Sequence, residues 1–339
     1  MLHMKNVLYI GNNLKQQTAN ISAIGILGAK LEKEGFNLKY ASSKTNKIYR
    51  LLDMLWNCFK HRKSIDVVLI DTYSTQNFYY AFCVALLCRL LDLKFIPVLH
   101  GGNLPMRLKK NPKMSQAIFK PAHALVSPSV YLKEAFESFG YKKVSYIPNS
   151  LDLEKYIFNV KDFQEVKLLW VRSFSKIYNP ILAIRVLKAL QDDNIKASLC
   201  MVGPDSDGSL EAVKQLAQTL KVSVKFTGKL SKEDWIALAK EYNIFINTTN
   251  FDNMPVSVIE AMALGLPIIT TNVGGLPYLI THEEDGLLVP PNSVDAFVAE
   301  IKKLINNSEV SRNLAFNARQ KVEKFDWNII KYQWIDVLQ

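Results

Sequence analysis

The stretch from Asn250 to Pro277 constrains this chain more than any other. It opens on a polar turn, Asn250-Phe-Asp-Asn253. Met254-Pro255 reads as the entry to a helix, because proline is well placed in a first turn, where its missing N–H costs nothing. Ser257-Val-Ile-Glu-Ala-Met-Ala263 reads as a short helix that Gly265 and Pro267 stop. Leu266 to Thr271 reads as a strand, and Gly274-Gly275 as a tight loop after it. The layout is therefore loop, helix N-terminus, strand, glycine loop. A helix N-terminus offers unpaired N–H groups and partial positive charge, which suits a phosphate. Glu260, two turns in, is placed for an uncharged partner such as a sugar hydroxyl.

The stretch closely resembles the donor site of glycosyltransferase family 4, retaining enzymes of the GT-B fold, here of the bacterial polysaccharide-biosynthesis type. The matching residues are Asp252, then Glu260-Ala-Met-Ala-Leu-Gly-Leu-Pro267, then Gly274-Gly275. Two positions depart from the pattern. Asp252 stands where Glu is usual, and Tyr278 follows where Glu is common. The resemblance implies an α/β chain of two Rossmann-like doubly wound domains facing across a cleft. It sets residues 1–160 as the acceptor-binding domain and 161–339 as the donor domain. A last helix at about 326–339 is expected to cross back to the first domain.

The 339 residues suffice for two domains, each with its own core. At 49% hydrophobic and 22% charged the chain is globular rather than disordered. No apolar run is long enough to span a bilayer. The start lacks a signal-peptide pattern, and Cys58, Cys83, Cys88 and Cys200 form no CxxC pair, so reduced core thiols and a cytoplasmic setting are expected. Charge is lopsided. Residues 1–160 hold 22 Lys+Arg against 10 Asp+Glu, whereas the remainder holds 20 against 21. The basic half suits a membrane surface, a phosphorylated lipid or an acidic glycan; nucleic acid shares that chemistry but is not the expected partner.

The first half alternates strand and helix patterns. Lys5 to Gly11 reads as a strand, Asn12 to Asn20 as a loop, Ile21 to Glu34 as a helix and Phe36 to Ala41 as a strand, which opens a doubly wound sheet. Only Gly11 stands in that first loop, so a dinucleotide fingerprint is absent. Lys44 to Lys63 reads as a helix with Ile48, Leu51, Leu52, Leu55, Trp56 and Phe59 at helical spacing, edged by Lys44, Lys47, Arg50, Lys60, His61, Arg62 and Lys63. This pattern suits a helix lying on an anionic membrane. It equally suits a core-packed helix with a basic rim. The resemblance favours peripheral contact with the inner face of the membrane, since many relatives act on lipid-linked acceptors. Phe78 to Leu91 reads as a core helix. Lys94 to Gly102 reads as a strand ending in His100-Gly101-Gly102, where ligands of such sheets bind. Gly11, Gly101, Gly102 and Arg107 fall on the acceptor side, and Lys109, Lys110, Lys113 and Lys120 continue the basic run.

In the second half Val166 to Arg172 reads as a strand. In the family an Arg leaves this strand and a Lys follows five residues later, both gripping the donor diphosphate. Arg172 matches; the Lys position holds Ile177, with Lys176 one residue early. A guanidinium binds two phosphate oxygens and an ammonium adds a point charge. Gly203 ends the next strand. Asp205-Ser-Asp207 looks like a metal-binding DxD, but its position before Gly208 is turn chemistry, and the resemblance implies a metal-independent reaction with no cofactor. On that resemblance the donor, a UDP- or GDP-sugar, meets Arg172, Lys176, Gly203, Asp252, Asn253, Met254, Pro255, Val256 and Glu260. Glu260 takes the ribose hydroxyls; Asp252 and His100 take the transferred sugar. No side chain is an obvious nucleophile. Together His100, Asp252, Glu260 and Arg172 form the expected catalytic set for a retaining hexosyl transfer to a glycan or lipid-linked acceptor in cell-surface polysaccharide assembly. A nucleotide-sugar epimerase and a nucleotide-sugar-binding subunit without turnover are the alternatives.

Overall fold

The computed structural model describes residues 5–13, 23–161 and 164–339. The chain divides into two compact units, residues 1–148 with 328–339, and residues 149–327. The divide lies at Pro148–Asn149, not after residue 160. Its cause is packing: Leu151, Leu153 and Tyr156 are buried in the apolar cluster of the second unit with Leu169, Phe245 and Met254.

The first unit is a six-stranded parallel sheet of β1 (Asn6–Ile10), β2 (Asn37–Ala41), β3 (Val67–Thr72), β4 (Phe95–Leu99), β5 (Leu125–Ser127) and β6 (Val144–Tyr146). Its order is β2-β1-β3-β4-β5-β6. The helices are α1 (Ala23–Lys33), α2 (Lys47–His61), α3 (Asn77–Leu90), α4 (Leu104–Lys110), α5 (Pro112–Phe119) and α6 (Val130–Ser138). Ser129 caps α6, its hydroxyl accepting from the Leu132 amide at 3.2 Å. Of the loop expected over Asn12 to Asn20, residues 14–20 lie outside the described residues, as do the first two residues of the helix expected from Ile21.

The second unit repeats the design with β7 (Val166–Val171), β8 (Ala197–Val202), β9 (Val224–Gly228), β10 (Ile244–Asn247), β11 (Ile268–Thr271) and β12 (Leu287–Val289), in the order β12-β11-β10-β7-β8-β9. Its helices are α7 (Pro180–Asp192), α8 (Ser209–Thr219), α9 (Lys232–Ala239), α10 (Val256–Ala263), α11 (Leu276–Leu279), α12 (Val294–Asn306) and α13 (Ser308–Glu323). The last helix, α14 (Trp327–Leu338), belongs from Asn328 onward to the first unit, where Lys331 pairs with Glu34 at 3.3 Å. Every strand pair is parallel; the inner strands β3, β4 and β10 are buried along their whole length, whereas the edge strands β2 and β9 are partly exposed.

Two helices differ from their sequence reading. Arg50, expected on the basic edge of α2, is buried: its guanidinium donates to the Lys44 and Thr45 carbonyls and to Asn12 Oδ1. Arg50, Met54 and Cys58 form the inner face of α2, which leaves Ile48, Leu52, Trp56 and Phe59 outside. Helix α3 buries Phe78, Ala81, Val84, Ala85 and Cys88 but exposes Tyr79, Leu86 and Leu90, so it is only in part the core helix expected.

Candidate active site

In a doubly wound sheet, ligands bind beyond the strand carboxyl ends where the strand order reverses. In the second unit that point lies between β7 and β10. Arg172 leaves β7 there, and the loop carrying Asp252 follows β10. Their side chains meet as an ion pair, Arg172 Nη2 to Asp252 Oδ2, both largely shielded from solvent. The guanidinium also lies over the Tyr178 ring, 4.0 Å from its centroid. Arg172 Nε is buried with no hydrogen-bond partner, so the group keeps an unused donor.

Three glycines make this packing possible. A Cβ on Gly203 would lie 1.9 Å from the Arg172 carbonyl oxygen, one on Gly274 2.1 Å from that of Asp252, and one on Gly275 1.8 Å from that of Asn253. The Gly275 amide donates to the Asp252 carbonyl at 2.9 Å. The glycine loop after β11 is thus the wall against which the Asp252 turn is pressed. Gly265 ends α10 at φ +79.

Asp252 Oδ1 accepts from the Asn253 amide at 2.8 Å. Pro255 precedes the first residue of α10 and no side chain caps the helix; the Val258 and Ile259 amides donate to the Pro255 carbonyl, which leaves the Val256 and Ser257 amides at the open end with no carbonyl a turn earlier in the helix. The hydroxyl of Ser257 in that turn is buried and unpartnered. Met254 is buried, and its carbonyl accepts from Asn149 Nδ2 at 3.3 Å. Val256 is exposed. Glu260 is almost wholly buried; it accepts from the Tyr156 hydroxyl at 2.8 Å and pairs with Lys232 Nζ. Burial, then the Glu260 carboxylate, hold the Tyr156 phenol well above its usual pKa, so it stays protonated and donates.

The neighbouring turn decides the fate of Asp205 and Asp207. Asp205 Oδ1 accepts from the Gly208 amide at 3.0 Å, and Asp207 Oδ2 from the Lys176 amide and Ser175 hydroxyl, each at 2.9 Å. Hydrogen bonds from Ser209 and Lys176 pull the Asp207 carboxyl down to about 2. Both carboxylates are engaged by the turn, and among the described residues no cluster could hold a metal ion. Lys176 itself is exposed, fixed through its backbone rather than its ammonium, and Ile177 beside it is exposed as well.

In the first unit the strand order reverses between β1 and β3, and the candidate residues gather there too. His100, just past β4, bonds through Nε2 to Asp71 Oδ1 at 2.9 Å and stacks on Tyr73 at 5.2 Å. The buried Tyr9 hydroxyl donates to the same oxygen at 2.9 Å. Burial, then the Asp71 carboxylate, push the Tyr9 phenol well up, which keeps it a donor. A Cβ on Gly11 would lie 2.6 Å from Asp71 Oδ2, and one on Gly101 2.4 Å from the Ser74 amide nitrogen. Gly102 follows in the turn into α4. Arg107 is committed to the protein: Nε donates to the Ser74 carbonyl at 2.7 Å and Nη1 to Asn111 Oδ1 at 3.1 Å.

Sequence reasoning missed three members, Asp71, Tyr156 and Lys232. Asp71 carried a usable signal, since it and His100 both sit at the ends of apolar strands, and the β3–β4 register sets Asp71 beside Val98, two residues before His100. Tyr156 and Lys232 lie 104 and 28 residues from Glu260, with no local signal.

Residues 155–321 match the family described as glycosyl transferases group 1. The chain is 26% identical over 209 residues to the UDP-Gal:alpha-D-GlcNAc-diphosphoundecaprenol alpha-1,3-galactosyltransferase of Escherichia coli, covering 56% of this chain and 51% of that one. It is 24% identical over 267 residues to the amylovoran biosynthesis glycosyltransferase AmsK of Erwinia amylovora, covering 74% and 65%. It thus spans about half to two thirds of the length of these relatives. The Anabaena protein HepE, solved in complex with UDP and glucose, superposes with a TM-score of 0.77 at 17% identity over 99% of both chains. The fold is therefore that of the GT-B enzymes.

Proposed function

We propose, for a chain that carries a group 1 glycosyl transferase match at residues 155–321 on a GT-B fold, that it is a retaining glycosyltransferase of family 4. It moves a hexose-type unit from a UDP- or GDP-sugar to a glycan or lipid-linked acceptor in cell-surface polysaccharide assembly. The observation that carries this reading is the Arg172–Asp252 pair, held against Gly274-Gly275 at the point where the strand order reverses, with buried Glu260 eight residues on. The relatives named above include a UDP-galactose-dependent enzyme and a polysaccharide-biosynthesis enzyme.

The chemistry follows from charge. As the glycosidic bond breaks, the diphosphate gains negative charge, and fixed positive groups lower that barrier. Arg172, with its unused Nε donor, Lys176 and the uncapped N-terminus of α10 supply them. Gly203 lets the backbone approach closely, and the Asn253–Val256 turn lies along the phosphates. Glu260 accepts from the ribose hydroxyls while Tyr156 and Lys232 hold its carboxylate in place. Asp252 and His100 hold hydroxyls of the transferred sugar. Gly11, Gly101 and Gly102 leave room for the acceptor, and Arg107 braces that side. The reaction needs no metal, because the cationic side chains take its usual place and the Asp205–Asp207 carboxylates serve the turn.

The test is a thermal-shift and turnover screen with UDP- and GDP-sugars in wild type and Glu260→Ala. A donor at a hundred times its Kd stabilises by about 2.7 kcal/mol, which raises Tm by about 5–11 °C for a unit of this size. A shift with one base, absent in the variant, identifies the donor. No shift with any nucleotide sugar refutes the reading. Binding without turnover indicates the non-catalytic subunit, and conversion of the donor without an acceptor indicates an epimerase.

A further inference from the structure

The outer face of α2 is apolar. Ile48, Tyr49, Leu52, Trp56 and Phe59 turn away from the core, with Ile48 70% and Trp56 59% exposed. Such residues on a core-packed helix would face inward, but that side is filled by Arg50, Met54 and Cys58. Helix α3 extends the face. Leu86, Leu87, Leu90 and Cys83 line an apolar groove of about 620 Å³ with Leu52, Leu55, Trp56 and Phe59, and Leu90 is 81% exposed. Among the described residues of the first unit nothing covers it. A contiguous apolar face of this kind marks an interaction surface.

Its rim is predominantly basic, with Asp53 and Asp92 the acids nearby. Lys44, Lys47, Lys60, Lys63 and Arg89 are exposed around it. Arg62 lies over the Phe59 ring at 4.0 Å, with its Nη1 bonded to the Phe59 carbonyl. The only acid on α2, Asp53, is bonded by the Asn57 side chain. A protein partner would need an apolar ridge and an acidic border together. An anionic bilayer supplies both everywhere, and Trp and Tyr beside Lys and Arg suit the headgroup boundary.

We propose that the α2–α3 face docks the first unit on an anionic lipid bilayer, its aromatic and leucine side chains entering the acyl boundary and the lysines meeting lipid phosphates. The surface is independent of the transfer reading, since neither donor nor acceptor takes part.

The experiment is co-sedimentation of the full chain with vesicles of phosphatidylcholine, and with vesicles of phosphatidylcholine and phosphatidylglycerol in equal parts, without nucleotide. Wild type is expected to bind only the anionic vesicles. Lys60→Ser with Lys63→Ser should lose about fivefold per charge removed. Trp56→Ser with Leu90→Ser should lose at least about tenfold, because interfacial binding scales with buried apolar area. Both pairs are exposed, and an unchanged melting temperature checks that they fold. Equal binding by wild type and both variants, no binding by wild type, or a concentration-dependent dimer that the Trp56/Leu90 pair abolishes in place of vesicle binding would overturn the proposal.

Discussion

Replacing Gly275 by Ala tests whether the glycine loop sets the position of Asp252. Gly275 has φ −86, which any residue adopts, so the substitution acts through space alone. Its Cβ would sit 1.8 Å from the Asn253 carbonyl oxygen, where ordinary contact begins at 3.4 Å. One wall must therefore move by about 1.6 Å, and the Gly275 amide bond to the Asp252 carbonyl goes with it. Overpacking of this kind costs about 1–3 kcal/mol and the hydrogen bond about 1 kcal/mol more. A sum of about 2–4 kcal/mol lowers Tm by roughly 4–16 °C. Because the displaced backbone carries Asp252, kcat/KM should fall by about a hundredfold, as ångström misplacements do. Gly140→Ala is the control. Its φ is +85 with nothing within 4 Å, so it costs only backbone strain, about 1–2 kcal/mol, and leaves donor affinity unchanged. Calorimetry and steady-state kinetics on both variants decide the matter. A Gly275→Ala protein that melts within about 2 °C of wild type and keeps its kcat/KM would show that the loop does not position the site.

Asp71→Asn keeps an oxygen for His100 and Tyr9, which already share Oδ1, but removes the charge that strengthens both bonds, so kcat should fall at least about tenfold while stability drops by about 1–3 kcal/mol; full kcat in a folded variant contradicts the assigned arrangement. Asp207 is held at about 2 in the fold against its ordinary 3.8, so the stability it contributes is present above 3.8 and lost as pH falls through about 2. The Tm gap between wild type and Asp207→Asn should therefore close across that window, and a gap that persists below it would mean the carboxylate charge is not what orders the turn.

Much of the fold was legible because its signals are local. The inner strands β1, β3, β4 and β7 show as apolar runs, and the loop–helix–strand–glycine order from Asn250 to Pro277 appears in the structure as read. Asp252 and Arg172, eighty residues apart, could be paired only through the family pattern; what brings them together is the β7–β10 pairing, which no local periodicity records. The same holds for Lys232 on Glu260. Arg50 was misread because charge on a helix suggests solvent, while its position on the Met54–Cys58 face demanded burial; three oxygen acceptors make that burial tolerable. The outward leucines of α3 were misread because a helix apolar on all sides normally lies inside a core.

Helix α14 gives the order of synthesis a structural meaning. Ile330, Trp334 and Leu338 are buried in it, and residues 328–339 belong to a unit whose six strands end at Tyr146. The 179 residues from Asn149 to Trp327 must be translated in between. At about 5–20 residues per second this takes roughly 9–36 s. The nascent first unit spends that interval with the seat of its last helix unfilled, a window in which a chaperone or a second ribosome-bound copy competes for the same apolar ground. The second unit, contiguous in sequence, has no such wait and can close its core before the first is complete.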